Sequence, residues 1–191
     1  MTEVFQIEAV NGYAIFPRVR APLVANVKHE LFVTSPNLLP ARSKKFRVIT
    51  AAESRLILTA QPPRSVKDGE KFGGAIEVDV VDSHGNYVYQ AERAITLFVR
   101  HVDPTMLTEP AKLVGVTTRA VASGRAVFDD LYLTGVVGDY YLSVESPPLL
   151  VASTRTISLL AGPAASIAVS MQPPTVVAVG DQWNFQVDVQ V

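Results

Sequence analysis

The sequence repeats itself at a spacing of about 111 residues. The matching stretches are residues 12–16 with 124–128, residues 33–36 with 144–147, and residues 56–63 with 167–174. In the last of these, Gln172 lies 111 residues after Gln61. Repetition of this kind indicates that one folding unit recurs along the chain and that each copy closes its own core. The chain is therefore predicted to hold the back part of one module, one whole module and the front part of a third.

The repeat also predicts the module boundaries. The predicted units are residues 1–53, the C-terminal part of one module; residues 54–163, a complete module; and residues 164–191, the N-terminal part of the next. The joints contain no flexible Gly/Ser tract, so neighbouring modules are expected to meet at a restricted angle. Because two modules are partial, we expect the chain to be a segment of a longer protein. An intact mass of the natural material near 20.7 kDa would contradict that expectation.

The hydrophobic pattern has a period of two. Ile76, Val78 and Val80 alternate with Glu77 and Asp79, and such alternation is typical of a strand with one face in a core. Turn residues separate these runs, and a bulge is expected near residues 129–130. The predicted strands of the whole module are 55–60, 72–82, 87–90, 94–101, 115–121, 126–133, 139–146 and 150–160, with a loop at 101–112. Short strands with frequent turns predict an all-β sandwich.

Three features of the middle module resemble a known class of repeats. They are Gln61-Pro62-Pro63 ahead of Gly69, the turn at residues 81–86, and the pair of runs 124–128 and 138–144. Together they resemble the tandem immunoglobulin-like repeats of bacterial surface proteins of the invasin and intimin kind, and also filamin-type repeats. The resemblance implies an Ig-like β-sandwich in which Tyr140 packs inward. The first module departs from this pattern, since His29 stands where the middle module has Tyr140.

Composition excludes several classes of function. The net charge is −1 with no basic run, which argues against a nucleic-acid partner. No apolar run approaches the ~18 residues that a membrane-spanning helix needs. The chain has no cysteine, so disulfides, thiolate metal sites and cysteine nucleophiles are absent. Neither a phosphate-binding glycine motif nor a serine-nucleophile motif occurs, and we predict no enzyme activity and no cofactor.

One acidic cluster has the composition of a calcium site. Asp79, Asp82 and Asn86 could supply the oxygen ligands that a hard cation prefers. The alternative, which we favour, is that the Asp82–Asn86 stretch is a plain hairpin turn, because Asp and Asn flanking a glycine are ordinary turn residues. We therefore predict no metal site.

The histidines and aromatic residues favour structural roles as well. His29, His84 and His101 lie far apart in the sequence, whereas a zinc site needs converging ligands. Trp183 stands at the position of Phe72 in the repeat and is predicted to be a core aromatic rather than a sugar-binding residue.

These observations predict a structural role. We expect the chain to be a spacer, stalk or filament-forming part of a large tandem Ig-like protein at the cell surface or outside the cell, with neighbouring modules of its own chain as partners. Lateral partners or further copies of the chain are additional possibilities. One alternative is an adhesion module that binds a protein or glycan through a sheet edge or the 101–112 loop. Another is an intracellular scaffold of the ciliary or cytoskeletal type.

Overall fold

The structure is a computed structural model that describes residues 4–17, 19–103, 105, 111–164, 168–169, 175–176, 178–180 and 189–190. No helix occurs among these residues, and every regular element is a strand. In chain order the strands are β1 (Lys28–His29), β2 (Phe32–Val33), β3 (Ala41–Arg42), β4 (Phe46–Arg47), β5 (Glu53–Ala60), β6 (Ser65–Lys67), β7 (Ile76–Asp82), β8 (Ala94–His101), β9 (Ala111–Val114), β10 (Thr118–Ala120), β11 (Arg125–Phe128), β12 (Tyr132–Gly135), β13 (Gly138–Glu145), β14 (Ala152–Ser153), β15 (Ile157–Leu160), β16 (Ala168–Val169) and β17 (Val189–Gln190). The all-β prediction is confirmed.

The strands from β5 to β15 form two principal sheets. One has the order β10-β8-β13-β15-β6, with β14 also paired to β13, and the other has the order β11-β7-β5. The strands of these sheets pair antiparallel except for β6 and β15, which run parallel. A separate pair, β9 and β12, lies beside these sheets. Tyr132 of β12 forms a bridge with Lys71, which precedes β7.

The core lies between the two sheets. Alternate residues of β7 (Ile76, Val78 and Val80) point inward from one sheet and are fully buried. Leu142 and Val144 of β13 do the same from the other sheet, and both groups belong to one contiguous apolar cluster that runs from Leu56 to Leu159. Full burial of an aliphatic side chain contributes about 1.5–3 kcal/mol, so this two-layer core is the main source of the stability of the sandwich.

Tyr140 is buried and closes one end of the core. Its hydroxyl donates a 2.7 Å hydrogen bond to the carbonyl of Val136, four residues upstream. The equivalent residue of the first segment, His29, has its Nε2 atom 3.0 Å from the carbonyl oxygen of Val24. The departure from tyrosine in the sequence thus preserves a side-chain contact with the preceding loop.

Several predicted strands differ from the observed ones. The predicted strand 126–133 is two strands, β11 and β12, which belong to different sheets. The chain crosses over at Asp129 and Asp130, where Arg119 binds both carboxylates and Asp130 also accepts a hydrogen bond from the Val116 N–H. A change of sheet, rather than the expected bulge, explains the broken alternation there.

Other differences lie at the margins of the sandwich. The predicted strand 87–90 forms only a single bridge, from Tyr87 to Val81. The C-terminal part of the predicted 101–112 loop is the start of β9. The predicted strand 150–160 is interrupted between β14 and β15. Strand β6 was not predicted, because three residues are too few to show a period.

The strand registers recur at the spacing seen in the sequence. The β1–β4 and β2–β3 pairs have the same registers as the β13–β15 and β13–β14 pairs, shifted by 111 residues. Lys28, for example, pairs with Arg47, and Asp139 pairs with Ser158. The β16–β17 register matches that of β5–β7 by the same shift. The sequence repeat is therefore accompanied by a repeat of backbone pairing.

Candidate functional site

The candidate site is the turn at residues 82–86, here called the joint turn, together with the residues of the N-terminal segment that contact it. The joint turn follows β7, and its backbone is closed by hydrogen bonds from the Asp82 N–H to the Asn86 carbonyl and from the Gly85 N–H to the Asp82 carbonyl. Gly85 has a φ of +85°, which glycine adopts without strain. The predicted turn is thus formed, at the end of the sandwich where β5 begins.

The Asp82 carboxylate organises the joint turn. Its Oδ1 atom accepts hydrogen bonds from the backbone N–H groups of His84 and Asn86, both at 2.9 Å. Its Oδ2 atom accepts from the Asn86 side-chain amide at 2.9 Å and from the Ala51 N–H at 3.1 Å. Asp82 is only 1% exposed, so these donors replace the water that an ionised carboxylate requires.

Asn86 connects the joint turn to the N-terminal segment. Its Oδ1 atom accepts a 3.0 Å hydrogen bond from the Ala25 N–H, and its Nδ2 atom donates a 2.8 Å bond to the Leu23 carbonyl. The Asn86 amide therefore contacts both the backbone of the N-terminal segment and the Asp82 carboxylate. All three of these bonds use the fixed donor and acceptor positions of one planar group, which specifies an orientation as well as a contact.

Further contacts join the same two parts of the chain. The side-chain amide of Asn26 donates to the Tyr87 carbonyl at 3.1 Å. Ala25 is 7% exposed, and it is the one buried residue in the described part of the chain before Glu53. The N-terminal segment thus has its best-buried point where it meets the joint turn.

The pKa of Asp82 is lowered from 3.8 to about 2. Burial alone would raise this pKa, because it disfavours the charged form. The hydrogen bonds from the side chain and backbone of Asn86 and from the backbones of Ala51 and His84 outweigh burial, because they favour the carboxylate. The pKa of Asp82 therefore depends in part on the backbone N–H of Ala51, which precedes β5.

This lowered pKa predicts an acid-sensitive contribution to stability. Because the folded-state pKa lies below the unfolded one, the contribution is complete above about pH 5 and is lost as the pH falls through about 2. We expect the wild type to lose about 2 kcal/mol more unfolding free energy than Asp82→Asn on acidification over this range. Urea unfolding at several pH values checks the difference. Parallel pH profiles for the two proteins would contradict the prediction.

Asp79, the third of the proposed calcium ligands, lies on the opposite face of β7 from Asp82. Its carboxylate binds Arg125 of β11 through two hydrogen bonds, Nε to Oδ1 at 2.6 Å and Nη2 to Oδ2 at 2.9 Å. Arg125 also pairs with Glu77. The bonds to Asp79 raise the pKa of the Arg125 guanidinium above its ordinary value, and Asp79 remains nearly buried. The structure thus brings Asp82 and Asn86 together and turns Asp79 to an arginine across the sheet.

The structure brings no further candidate ligands together among the described residues. Within the described ranges, no group of three or more His, Asp or Glu side chains converges as metal ligands do. Tyr140 is buried, as the resemblance implied. Trp183 lies outside the described residues. The part of the chain that the structure describes contains no helix with the length and hydrophobicity needed to cross a membrane.

The sequence did not indicate two components of this site. Arg125 was not singled out, although its pairing with Asp79 follows once β11 is placed beside β7. Leu23 and Ala25 contact the turn through backbone groups, which every residue type possesses, so their side chains do not indicate the contact. The repeat was the one available signal, because it placed residues near 51–54 at a joint.

Comparison with known proteins gives distant structural similarity alone. No protein-family model and no curated protein matches the chain. A glycosyl hydrolase family 2 member from Bacteroides cellulosilyticus is 16% identical, with a TM-score of 0.44 over 63% of this chain and 15% of that chain. A β-glycosidase from Bacteroides vulgatus is 20% identical, with a TM-score of 0.46 over 69% and 17%. Domains 4 and 5 of the S-layer protein SbsC are 13% identical, with a TM-score of 0.35 over 70% and 66%.

The chain thus spans 15% and 17% of the two glycosidases that it resembles. Similarity at these TM-scores and identities assigns neither a family nor an activity to this chain.

Proposed function

We propose that this chain is a non-catalytic length of a tandem Ig-like array, a spacer or stalk whose modules are held at a fixed angle. The single observation that carries the proposal is the hydrogen bonding of the joint turn to the N-terminal segment, through Asn86 and Asp82. A spacer needs length and direction, and a hydrogen-bonded joint supplies direction that a flexible linker does not.

The repeated registers support the tandem part of the proposal. β1 to β4 pair as β13 to β15 do at a spacing of 111 residues, which is expected if the N-terminal segment is the back part of an equivalent sandwich. The many exposed apolar side chains of that segment, among them Phe32 and Leu39, fit a module of which only a part is present here.

Within this proposal the acidic residues are structural. Asp79 is occupied by Arg125, and Asp82 by four donors, so neither is placed as a reactive group in a cleft. We assign the array to the cell surface or the extracellular space, where a stalk separates a terminal domain from its anchor. Surface proteolysis of intact cells, followed by fractionation, tests this location; recovery of the protein in the cytoplasm alone would favour the intracellular scaffold.

The fixed angle is testable by distance measurement. The chain has no cysteine, so spin labels can be placed at Lys28→Cys in the N-terminal segment and Lys67→Cys in the sandwich, both exposed. We expect a single narrow distance distribution in pulsed electron paramagnetic resonance. Asn86→Ala removes the amide that contacts Leu23 and Ala25, and we expect it to roughly double the width of the distribution.

His84→Ala is the matched control. It changes the same turn but removes only an exposed side chain, because the His84 contact with Asp82 uses the backbone N–H. This variant is expected to retain the narrow distribution. A distribution that is broad in the wild type, and unchanged by Asn86→Ala, would overturn the proposed function.

A further inference from the structure

The outer face of the larger sheet carries an exposed aromatic ring. Leu97 of β8 belongs to the core, so the next residue, Phe98, points to the opposite face of the strand, and it is 40% exposed. Arg100 lies on the same face as Phe98, with its guanidinium 5.5 Å from the centre of the ring. The Nη2 atom of Arg100 is 3.9 Å from Oε1 of Glu145 on β13. Phe98, Arg100 and Glu145, here called the Phe98 trio, thus place an aromatic ring and one charge of each sign at the surface.

The N-terminal segment carries the same three residue types in one group. Phe32 is 55% exposed, the Arg42 guanidinium lies 4.9 Å from the centre of its ring, and Arg42 pairs with Glu30. The sequence repeat does not supply this second trio, because the residues that follow these three by 111 positions are Tyr, Ser and Ser. The counterpart of Phe32 is Ser143, which pairs directly with Phe98, so the two rings lie at neighbouring places on equivalent sheets. Two modules present the same combination without inheriting it from the repeat, which indicates that this surface is used.

The strands around the Phe98 trio have the composition of an interface. None of β8, β10, β13, β14 and β15 contains a lysine, and a second aromatic residue, Tyr141, lies directly across from Arg100. Aromatic residues and arginine are enriched where proteins contact each other, whereas lysine is depleted. A face without lysine also loses less side-chain entropy when it is covered. The face is therefore suited to contact with another protein surface.

The order of the Phe98 trio along the strands makes the face complementary to itself. In the β8–β13 register, the row that contains Phe98 lies midway between the row of Arg100 and the row of Glu145, about 7 Å from each. A two-fold axis that crosses the strands at Phe98 therefore brings this ring against its equivalent in a second copy and places Arg100 over the second copy's Glu145. An axis along the strands would place arginine over arginine. The charges thus select one orientation of two copies.

From these observations we infer that the face around the Phe98 trio is a lateral docking surface, and that its occupant is a second copy of this chain, bound face to face with its strands antiparallel to the first. Phe98 supplies the central aromatic contact, and Arg100 and Glu145 form two reciprocal ion pairs on either side of it. The exposed ion pair within each copy contributes only about 0–1 kcal/mol, so it rearranges at little cost. The inference goes beyond the proposed function, because it adds a side-by-side contact to an end-to-end array.

Sedimentation equilibrium of the full chain tests the association. A contact that depends on a few central residues is expected to dissociate in the micromolar range, so the protein is measured between about 1 and 300 μM. We expect a monomer–dimer equilibrium. Phe98→Ala removes the central ring, and we expect it to lower the association constant about 10-fold or more.

Charge reversal tests the orientation. Arg100→Glu and Glu145→Arg each place like charges opposite each other in a symmetric dimer, and each variant alone is expected to associate about 10-fold more weakly than the wild type. In an equimolar mixture, every ion pair joins a glutamate of one variant to an arginine of the other. We therefore expect the mixture to associate within about 3-fold of the wild type.

Lys112→Glu is the matched control, because it changes charge in the same way at an exposed position on β9, outside the larger sheet. It is expected to leave the association constant unchanged. Circular dichroism and thermal unfolding show that each variant retains the sandwich.

The outcomes separate this inference from other forms of association and from the proposed function. A wild type that remains monomeric over the whole range overturns the inference. Association that Phe98→Ala does not weaken, or that the mixture of charge variants does not restore, also overturns it, because other surfaces such as the exposed apolar residues of the N-terminal segment then hold the copies together. The fixed joint stands in each case, since the Lys28/Lys67 distance distribution tests it separately.

Discussion

Replacing Asp82 with alanine is expected to lower the unfolding free energy by about 3 kcal/mol, since backbone donors in a partly buried turn lose their acceptor. The N–H groups of His84, Asn86 and Ala51 all bind this carboxylate, and the Asn86 amide loses one of its partners. The corresponding fall in melting temperature is about 10 °C or more for a unit of this size. Urea and thermal unfolding, followed by circular dichroism, measure both quantities.

Two aspartate controls make this result specific. Asp82→Asn retains one oxygen acceptor for the turn and is expected to cost about half as much. Asp129→Ala removes a carboxylate that binds Arg119 at the surface, and such exposed ion pairs contribute about 0–1 kcal/mol. Equal losses for Asp82→Ala and Asp129→Ala would contradict the organising role of Asp82.

Replacing Gly124 with alanine is the second large effect that we expect. Gly124 has a φ of +82°, and a Cβ atom there would lie 2.6 Å from the Val88 carbonyl oxygen and 2.9 Å from the ring of Tyr87. The positive φ and the backbone collision each cost about 1–2 kcal/mol, so we expect a total loss of about 3 kcal/mol in unfolding free energy. Because Tyr87 lies next to Asn86, the collision would also disturb the joint turn.

Other glycines separate the two causes. Gly69 has a φ of +75° with open space around the added atom, so Gly69→Ala isolates the conformational cost, about 1 kcal/mol. Gly73 has neither a positive φ nor a neighbour within 4 Å, and Gly73→Ala is expected to be neutral or slightly stabilising. If Gly124→Ala costs no more than Gly69→Ala, the close approach to Val88 does not constrain the fold.

The sequence predicted the parts of the fold that alternation and repetition determine. Ile76, Val78 and Val80 recur at every second position, and the structure buries them all on one face of β7. The turn after Asp82 was predicted because an Asp side chain can accept hydrogen bonds from the backbone two residues on and because Gly85 adopts a positive φ without strain. The repeat also predicted which residues are equivalent: Gly12 and Gly124, for example, both have a φ of +82°.

Contacts between distant residues could not be predicted in the same way. The pairing of Arg125 with Asp79 depends on which strands are neighbours, and the alternating pattern of β7 is compatible with several. Residues 125–135 are divided between two sheets at a point where Arg119 contacts Asp130, and that contact joins residues 11 positions apart. The sequence predicted a plain turn at residues 82–86 but not its contact with the N-terminal segment, because that contact is made by the backbone groups of Leu23 and Ala25.

The parallel pairing of β6 with β15 has a mechanical consequence. Strand β6 lies near the N-terminal end of the sandwich sequence, and β15 lies near its C-terminal end. The two strands are joined by hydrogen bonds such as Ser158 N–H to the Arg64 carbonyl and Asp68 N–H to the Leu160 carbonyl, both 2.9 Å. Tension applied through the two ends of the module draws β6 and β15 in opposite directions along their length. The bonds between them are then strained together rather than opened one after another, so a stretched module resists extension until the whole pair gives way.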